Sequence, residues 1–132
     1  MDNKKDNEIE TPYWRLWIED QILIGVIKEN TVFDLETAKN TVNDRLKVTG
    51  GKSYPICMDV RNIKSITKEA RDFLATSSST SGLIAAAFIV ESSANRIMAN
   101  IFVTFNQPKL PLKLFNEMDS ALKWLERYKR SD

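Results

Sequence analysis

The chain has 132 residues, enough for one domain that buries a core without disulfides or metals, and its 42% hydrophobic and 28% charged residues describe an ordinary globular protein. Lys plus Arg total 19 and Asp plus Glu 18, a formal charge of +1, which argues against the concentrated basic charge that a nucleic-acid backbone selects. The absence of His removes imidazole acid–base chemistry, His-activated nucleophiles and His-ligated zinc, and the lone Cys57 allows neither an internal disulfide nor a cysteine cluster and fits a reducing, cytoplasmic setting.

Residues 1–12 show no apolar period and read as a disordered arm, with 13–132 as a single domain. The arm carries both signs of charge, unlike a signal peptide. From Tyr13, the alternation of Trp14, Leu16 and Ile18 with Arg15, Trp17 and Glu19 predicts a strand, with the two tryptophans on opposite faces as core or helix cover. Glu19-Asp20-Gln21 is a polar break, and residues 22–27 resume as the second strand of an antiparallel hairpin, with Gly25 marking a bulge or a close approach.

Asp34 caps a helix whose apolar positions are Leu35, Ala38, Val42 and Leu46, and Gly50-Gly51 ends it. Residues 56–60 form a short buried strand entered through Pro55. Ile63-Lys64-Ser65-Ile66 reads as a connector, and Thr67 as the cap of a helix carrying Ala70, Phe73 and Leu74. The hydroxyl run 76–81 should end that helix as a linker. Residues 83–90 are nearly all apolar, the pattern of a central strand covered on both faces, and too short for the roughly 20 residues of a membrane span.

Ser92 or Ser93 caps a third helix, on which Ala94, Ile97, Met98, Ile101, Phe102 and Phe105 give more apolar surface than one helix face needs; residues 101–105 also suit a strand. Pro108 and Pro111 lead into a strand over 112–115, Asn116 with Asp119 resembles a capping box, and Met118, Ala121, Leu122, Leu125 and Tyr128 mark the last helix. The expected fold is α/β: a mixed five-stranded sheet in the order β-β-α-β-α-β-α-β-α, with one antiparallel edge strand and four helices.

Chemistry-bearing residues are few. Asp59 ends a buried strand, and binding crevices in open α/β sheets lie at strand carboxyl ends. It either caps local backbone and pairs with Arg61, or joins Arg61, Asn62, Lys64, Thr67 and Lys68 as a recognition surface. Cys57, between Ile56 and Met58, reads as inert core. An enzyme would need Asp59, a Lys or a Tyr to move protons, and no spacing joins two of them, so no catalytic residue, cofactor or metal is expected.

Asp59-Val60-Arg61-Asn62-Ile63-Lys64-Ser65-Ile66-Thr67, with the element order, Lys113-Leu114-Phe115 and Ala121-Leu122-Lys123-Trp124-Leu125, resembles the STAS domain, more narrowly the small bacterial SpoIIAA-like proteins. The resemblance spans about residues 13–129. It implies a non-catalytic regulatory module that binds a protein partner, such as a regulatory kinase or an anti-sigma factor, through residues 59–68. Anti-sigma-factor antagonists carry a phosphorylated serine in an Asp-Ser-Ser-Gly-like segment. Laid on this chain, its place falls on Lys68, which cannot accept phosphate; Ser65 or Thr67 would serve after a register shift. STAS-like proteins are also similar in fold to lipid-exchange domains, which implies the alternative of a small apolar ligand or lipid carrier. A homodimer could use Trp17 on an edge hairpin or the broad apolar face of the third helix.

Overall fold

The computed structural model describes residues 5–130. Eight strands and five α-helices follow in the order β1 (Lys5–Glu10), β2 (Trp14–Glu19), β3 (Ile22–Ile27), β4 (Thr31–Phe33), α1 (Leu35–Thr49), β5 (Tyr54–Asp59), β6 (Ile63–Ile66), α2 (Lys68–Leu74), α3 (Ser77–Thr80), β7 (Leu83–Ile89), α4 (Ser93–Ile101), β8 (Leu112–Phe115) and α5 (Met118–Leu125). A π-helical turn, Phe102–Asn106, continues α4, and a 3-10 turn, Glu126–Tyr128, continues α5.

Six strands form one mixed sheet in the order β1-β2-β3-β5-β7-β8. The first three form an antiparallel meander, and β3, β5, β7 and β8 run parallel. Three strands of this chain were not expected in the sheet or beside it. β4 and β6 pair in parallel as a separate ladder, so Ile63-Lys64-Ser65-Ile66 is a strand rather than a connector. β1 pairs with β2 inside the segment expected to be a disordered arm, and residues 1–4 lie outside the described residues. Polarity hides β1 in the sequence. It is held by the ladder, by exposed ion pairs, Glu8–Arg15 at 2.9 Å and Glu10–Lys28 at 2.8 Å, by Asn7 donating to Val48 O at 3.1 Å, and by Ile9 against the core. A charged outer strand also discourages pairing with a second sheet.

Local chemistry sets the element ends. Asp20 and Gln21 form the two-residue β2–β3 turn, both at positive φ (52° and 66°), the geometry that matches strand twist. Asp34 accepts from Thr37 N at 2.9 Å, Thr67 from Ala70 N at 3.1 Å and Ser92 from Asn95 N at 3.1 Å, capping α1, α2 and α4. Gly50, at φ 63°, closes α1. The expected box at Asn116 does not form. Glu117 occupies the N-cap without a side-chain bond, and Asn116 Oδ1 accepts from Arg96 Nη2. The hydroxyl run is not a plain linker either: Thr76 caps the short helix α3 through Ser79 N.

The sheet has two covered faces. On one, α5 packs Ala121 and Leu125 against Trp17, Ile22, Ile24, Cys57, Ala85, Ala87 and Ile89. On the other, Trp14, Leu16, Leu23, Ile27, Ile56 and Ala86 meet Ala38 and Val48 of α1, Ala70 of α2 and Phe33 of β4. Trp14 and Trp17 thus lie on opposite faces, and both are buried. Since β2 is flanked by β1 and β3, Trp17 offers no edge surface for a dimer. Gly25 marks a close approach, not a bulge: a Cβ there would stand 2.9 Å from both the Trp14 ring and Met58 Sδ.

Candidate functional site

The expected recognition segment is largely committed to local structure. Asp59, at the carboxyl end of β5, is buried and binds Arg61 three times, through Arg61 N at 3.1 Å, Nε at 2.9 Å and Nη2 at 2.7 Å. The pair holds the Arg61 guanidinium above its ordinary pKa through the hydrogen bonds to Asp59. Thr67 spends its hydroxyl as the α2 cap, and Lys68 pairs with Asp72 at 2.8 Å. Asn62 and Lys64 are exposed, and Ser65 is half-buried opposite Val32 in the β4–β6 ladder. Arg61, Asn62, Lys64 and Lys68 therefore share one exposed stretch, while Asp59 sits beneath it.

Cys57 is fully buried, and burial first, then the charge of Asp59, pushes its thiol up to about 12. Such a thiol is a core residue rather than a nucleophile. No group of three or more His, Cys, Asp or Glu among the described residues is placed to hold a metal ion. No helix among them is long and apolar enough to cross a membrane.

An apolar concavity lies elsewhere, between the sheet and the layer formed by α1, α2, α3, α4 and the β4–β6 ladder. It is a pocket of about 130 Å³. Its floor is Trp14, Ile27, Ile56, Met58, Ala86 and Phe88 of the sheet. Phe33, Ile63 and Ile66 wall it on the ladder side, and Met98, Ala99 and Phe102 on the α4 side. Asn106 braces that side, donating to Asp72 Oδ1 at 2.7 Å and accepting from Arg71 Nη1 at 3.2 Å, so the π turn is tied to α2. The broad apolar surface of the third helix is thereby accounted for in part. Met98, Ala99 and Phe102 face the pocket, while Ile97 (59% exposed) and Phe105 (76% exposed) face outward. Of the residues 101–105 that suited either a helix or a strand, Ile101 ends α4 and 102–105 enter the π turn, a distortion common where a helix serves a site.

Polar residues line this space too, and Asn95 of α4 is one, accepting from Glu91 N and donating to Val60 O. Thr41 and Arg45 come from α1, and Ser79 and Thr80 from α3. Thr41 Oγ1 donates to Ala38 O and Thr80 Oγ1 to Thr76 O. Ser79 Oγ, on a residue only 1% exposed, has no hydrogen-bond partner. The Arg45 guanidinium donates to Ser79 O, has no carboxylate partner among the described residues, and is lowered by burial to about 10. Sequence reasoning missed both residues. Reading α1 by its apolar positions chose Leu46, which is 54% exposed, and passed over Thr41, Asp44 and Arg45, which share the inward face with Ala38 and Val48. The available signal was the spacing of three and four residues that joins those polar side chains to Ala38 and Val48.

A profile built for a domain of unknown function, DUF7793, matches residues 16–129. The chain belongs to the DUF7793 family. A solved structure similar to this DUF7793 domain is an uncharacterized protein of the DUF3478 family with a SpoIIAA-like fold from Shewanella loihica PV-4. The two share 12% identity, cover 95% of this chain and 98% of that one, and superpose with a TM-score of 0.56. The DUF7793 domain thus has a SpoIIAA-like α/β fold, as the element order implied, with a sheet larger than expected. A comparison with curated proteins finds no match.

Proposed function

We propose that this domain is a non-catalytic, cytoplasmic binding module that holds a small, largely apolar ligand between its sheet and the α1–α4 layer. The observation that carries the reading is the apolar pocket of about 130 Å³. Close-packed interiors leave few voids larger than a water molecule. An apolar cavity of about 150 Å³ is large enough to bind benzene, so the pocket suits an apolar body of about six carbons. The test is native mass spectrometry of the protein purified from its host, read before and after denaturation. A small-molecule mass lost on denaturation is the expected result. A bare mass, with no saturable uptake of added benzene, would sink the reading.

A second reading keeps the STAS-like role of a regulatory module that captures a protein partner. It is favoured by the exposed run of Arg61, Asn62, Lys64 and Lys68. Charge reversal at Lys64 and Lys68 spares both the Asp59–Arg61 pair and the Thr67 cap. It should abolish partner capture while leaving the melting temperature unchanged; retained capture would remove this surface from consideration. A phosphate on Thr67 would displace the α2 cap, whereas one on Ser65 would enter the β4–β6 ladder, and intact mass with peptide mapping distinguishes them.

A further inference from the structure

The polar end of the pocket narrows the ligand class, an inference that rests on the apolar-ligand reading above. We propose that the pocket binds a short monocarboxylic acid, its alkyl or aryl body on the sheet and its carboxylate held by the Arg45 guanidinium and, once its side chain turns toward the ligand, by the Ser79 hydroxyl.

Three observations converge. Ser79 Oγ is a buried polar atom without a partner, and such an atom is destabilising unless a ligand or water completes it. Arg45 lines the same pocket, half-buried, and its guanidinium has no carboxylate partner among the described residues; the Ser79 carbonyl is the acceptor it meets there. Arg45 also donates to the Ser79 carbonyl, which places both groups side by side and orients the guanidinium fork. A fork with donors still free matches a planar carboxylate, and a serine hydroxyl adds a third donor. Apart from Thr41, Thr80 and Asn95, whose polar groups are bonded within the fold, the rest of the wall is apolar, so the charge of the ligand is confined to the Arg45 end. A cationic or doubly charged molecule meets no complement there.

The experiment is calorimetric titration of the full chain at neutral pH with three six-carbon probes: hexanoate, 1-hexanol and hexylammonium. Hexanoate should bind at least about tenfold more tightly than 1-hexanol, since hydrogen bonds to charged groups are worth about 1.5–3 kcal/mol, and hexylammonium should not bind. In Arg45→Met the preference for hexanoate over 1-hexanol should fall to about one while 1-hexanol still binds, which shows that the pocket remains folded. Arg45→Lys should keep part of the preference, because the charge remains and the fork does not. Ser79→Ala should weaken hexanoate alone, by several-fold. Equal binding of hexanoate and 1-hexanol to the unaltered protein would overturn the carboxylate assignment and leave the apolar pocket standing. Failure of all three probes to bind would overturn the pocket reading itself. If Arg45→Met does not fold, the three-probe comparison on the unaltered chain still decides the assignment.

Discussion

The two faces of the sheet solve the packing problem differently. Under α5, small residues of β7 (Ala85 and Ala87) meet Ala121 of the helix, so the helix lies close and Leu125 is fully buried. The side chains buried there are apolar except for Asp59 at the end of β5, which is paired with Arg61. Under α1–α4, the cover is assembled from several short pieces, one of them a π turn, and it buries Thr41, Asp44, Ser79 and Asn95. The first face uses its buried area for stability. The second gives up some packing, and with it gains a space with a chemical polarity.

Perturbations should therefore fall unequally on the two faces. The largest contrast is in thiol chemistry on the tight face. With the Cys57 thiol pushed up to about 12 from an ordinary value near 9, alkylation at pH 8 should be at least about a hundredfold slower in the native protein than in urea, a ratio read by mass spectrometry. Because the native state keeps the proton, its stability should be full below pH 9 and decline as the pH rises toward 12. Equal alkylation rates would show that this face opens readily.

Next comes Leu125→Ala, which should cost about 3 kcal/mol in urea unfolding, because the site has no room to collapse. Asp44→Ala on the other face should cost about 2 kcal/mol. Asp44 Oδ2 accepts from Tyr13 OH at 2.8 Å and Trp14 Nε1 at 3.0 Å, and its loss leaves two donors unpaired. Gly25→Ala should cost about 1–2 kcal/mol by forcing the Trp14 ring and Met58 apart, with altered pocket binding as its second readout. The smallest effect is expected at Ser79→Ala, neutral or stabilising by up to about 1 kcal/mol, because an unpaired buried hydroxyl disappears. A loss of more than 1 kcal/mol there would mean the hydroxyl is bonded in the free protein.

The pattern of these elements explains what sequence reasoning could see. β2, β3, β5, β7 and α5 announce themselves because their apolar spacing and their burial coincide: Trp14, Leu16 and Ile18, for example, alternate and are all buried. β1 has no such spacing, since its pairing relies on backbone bonds and on Glu8 and Glu10. β4 and β6 are too short for a period to register. The Asp59–Arg61 pairing was legible because the two residues are neighbours, and the structure places them in contact. Arg45 and Ser79 are 34 positions apart, and only the tertiary fold brings them together.

The meander at the start of the sheet bears on how the chain assembles. Its strands are joined by short turns, so β1, β2 and β3 can zip together on the microsecond scale of hairpins, before slower contacts form. β5 reaches β3 only after α1 has crossed over, and until then Ile22, Leu23 and Ile24 border an unpaired edge. That edge is the sticky surface of the half-made molecule, and folding yield should depend on how fast β5 closes it.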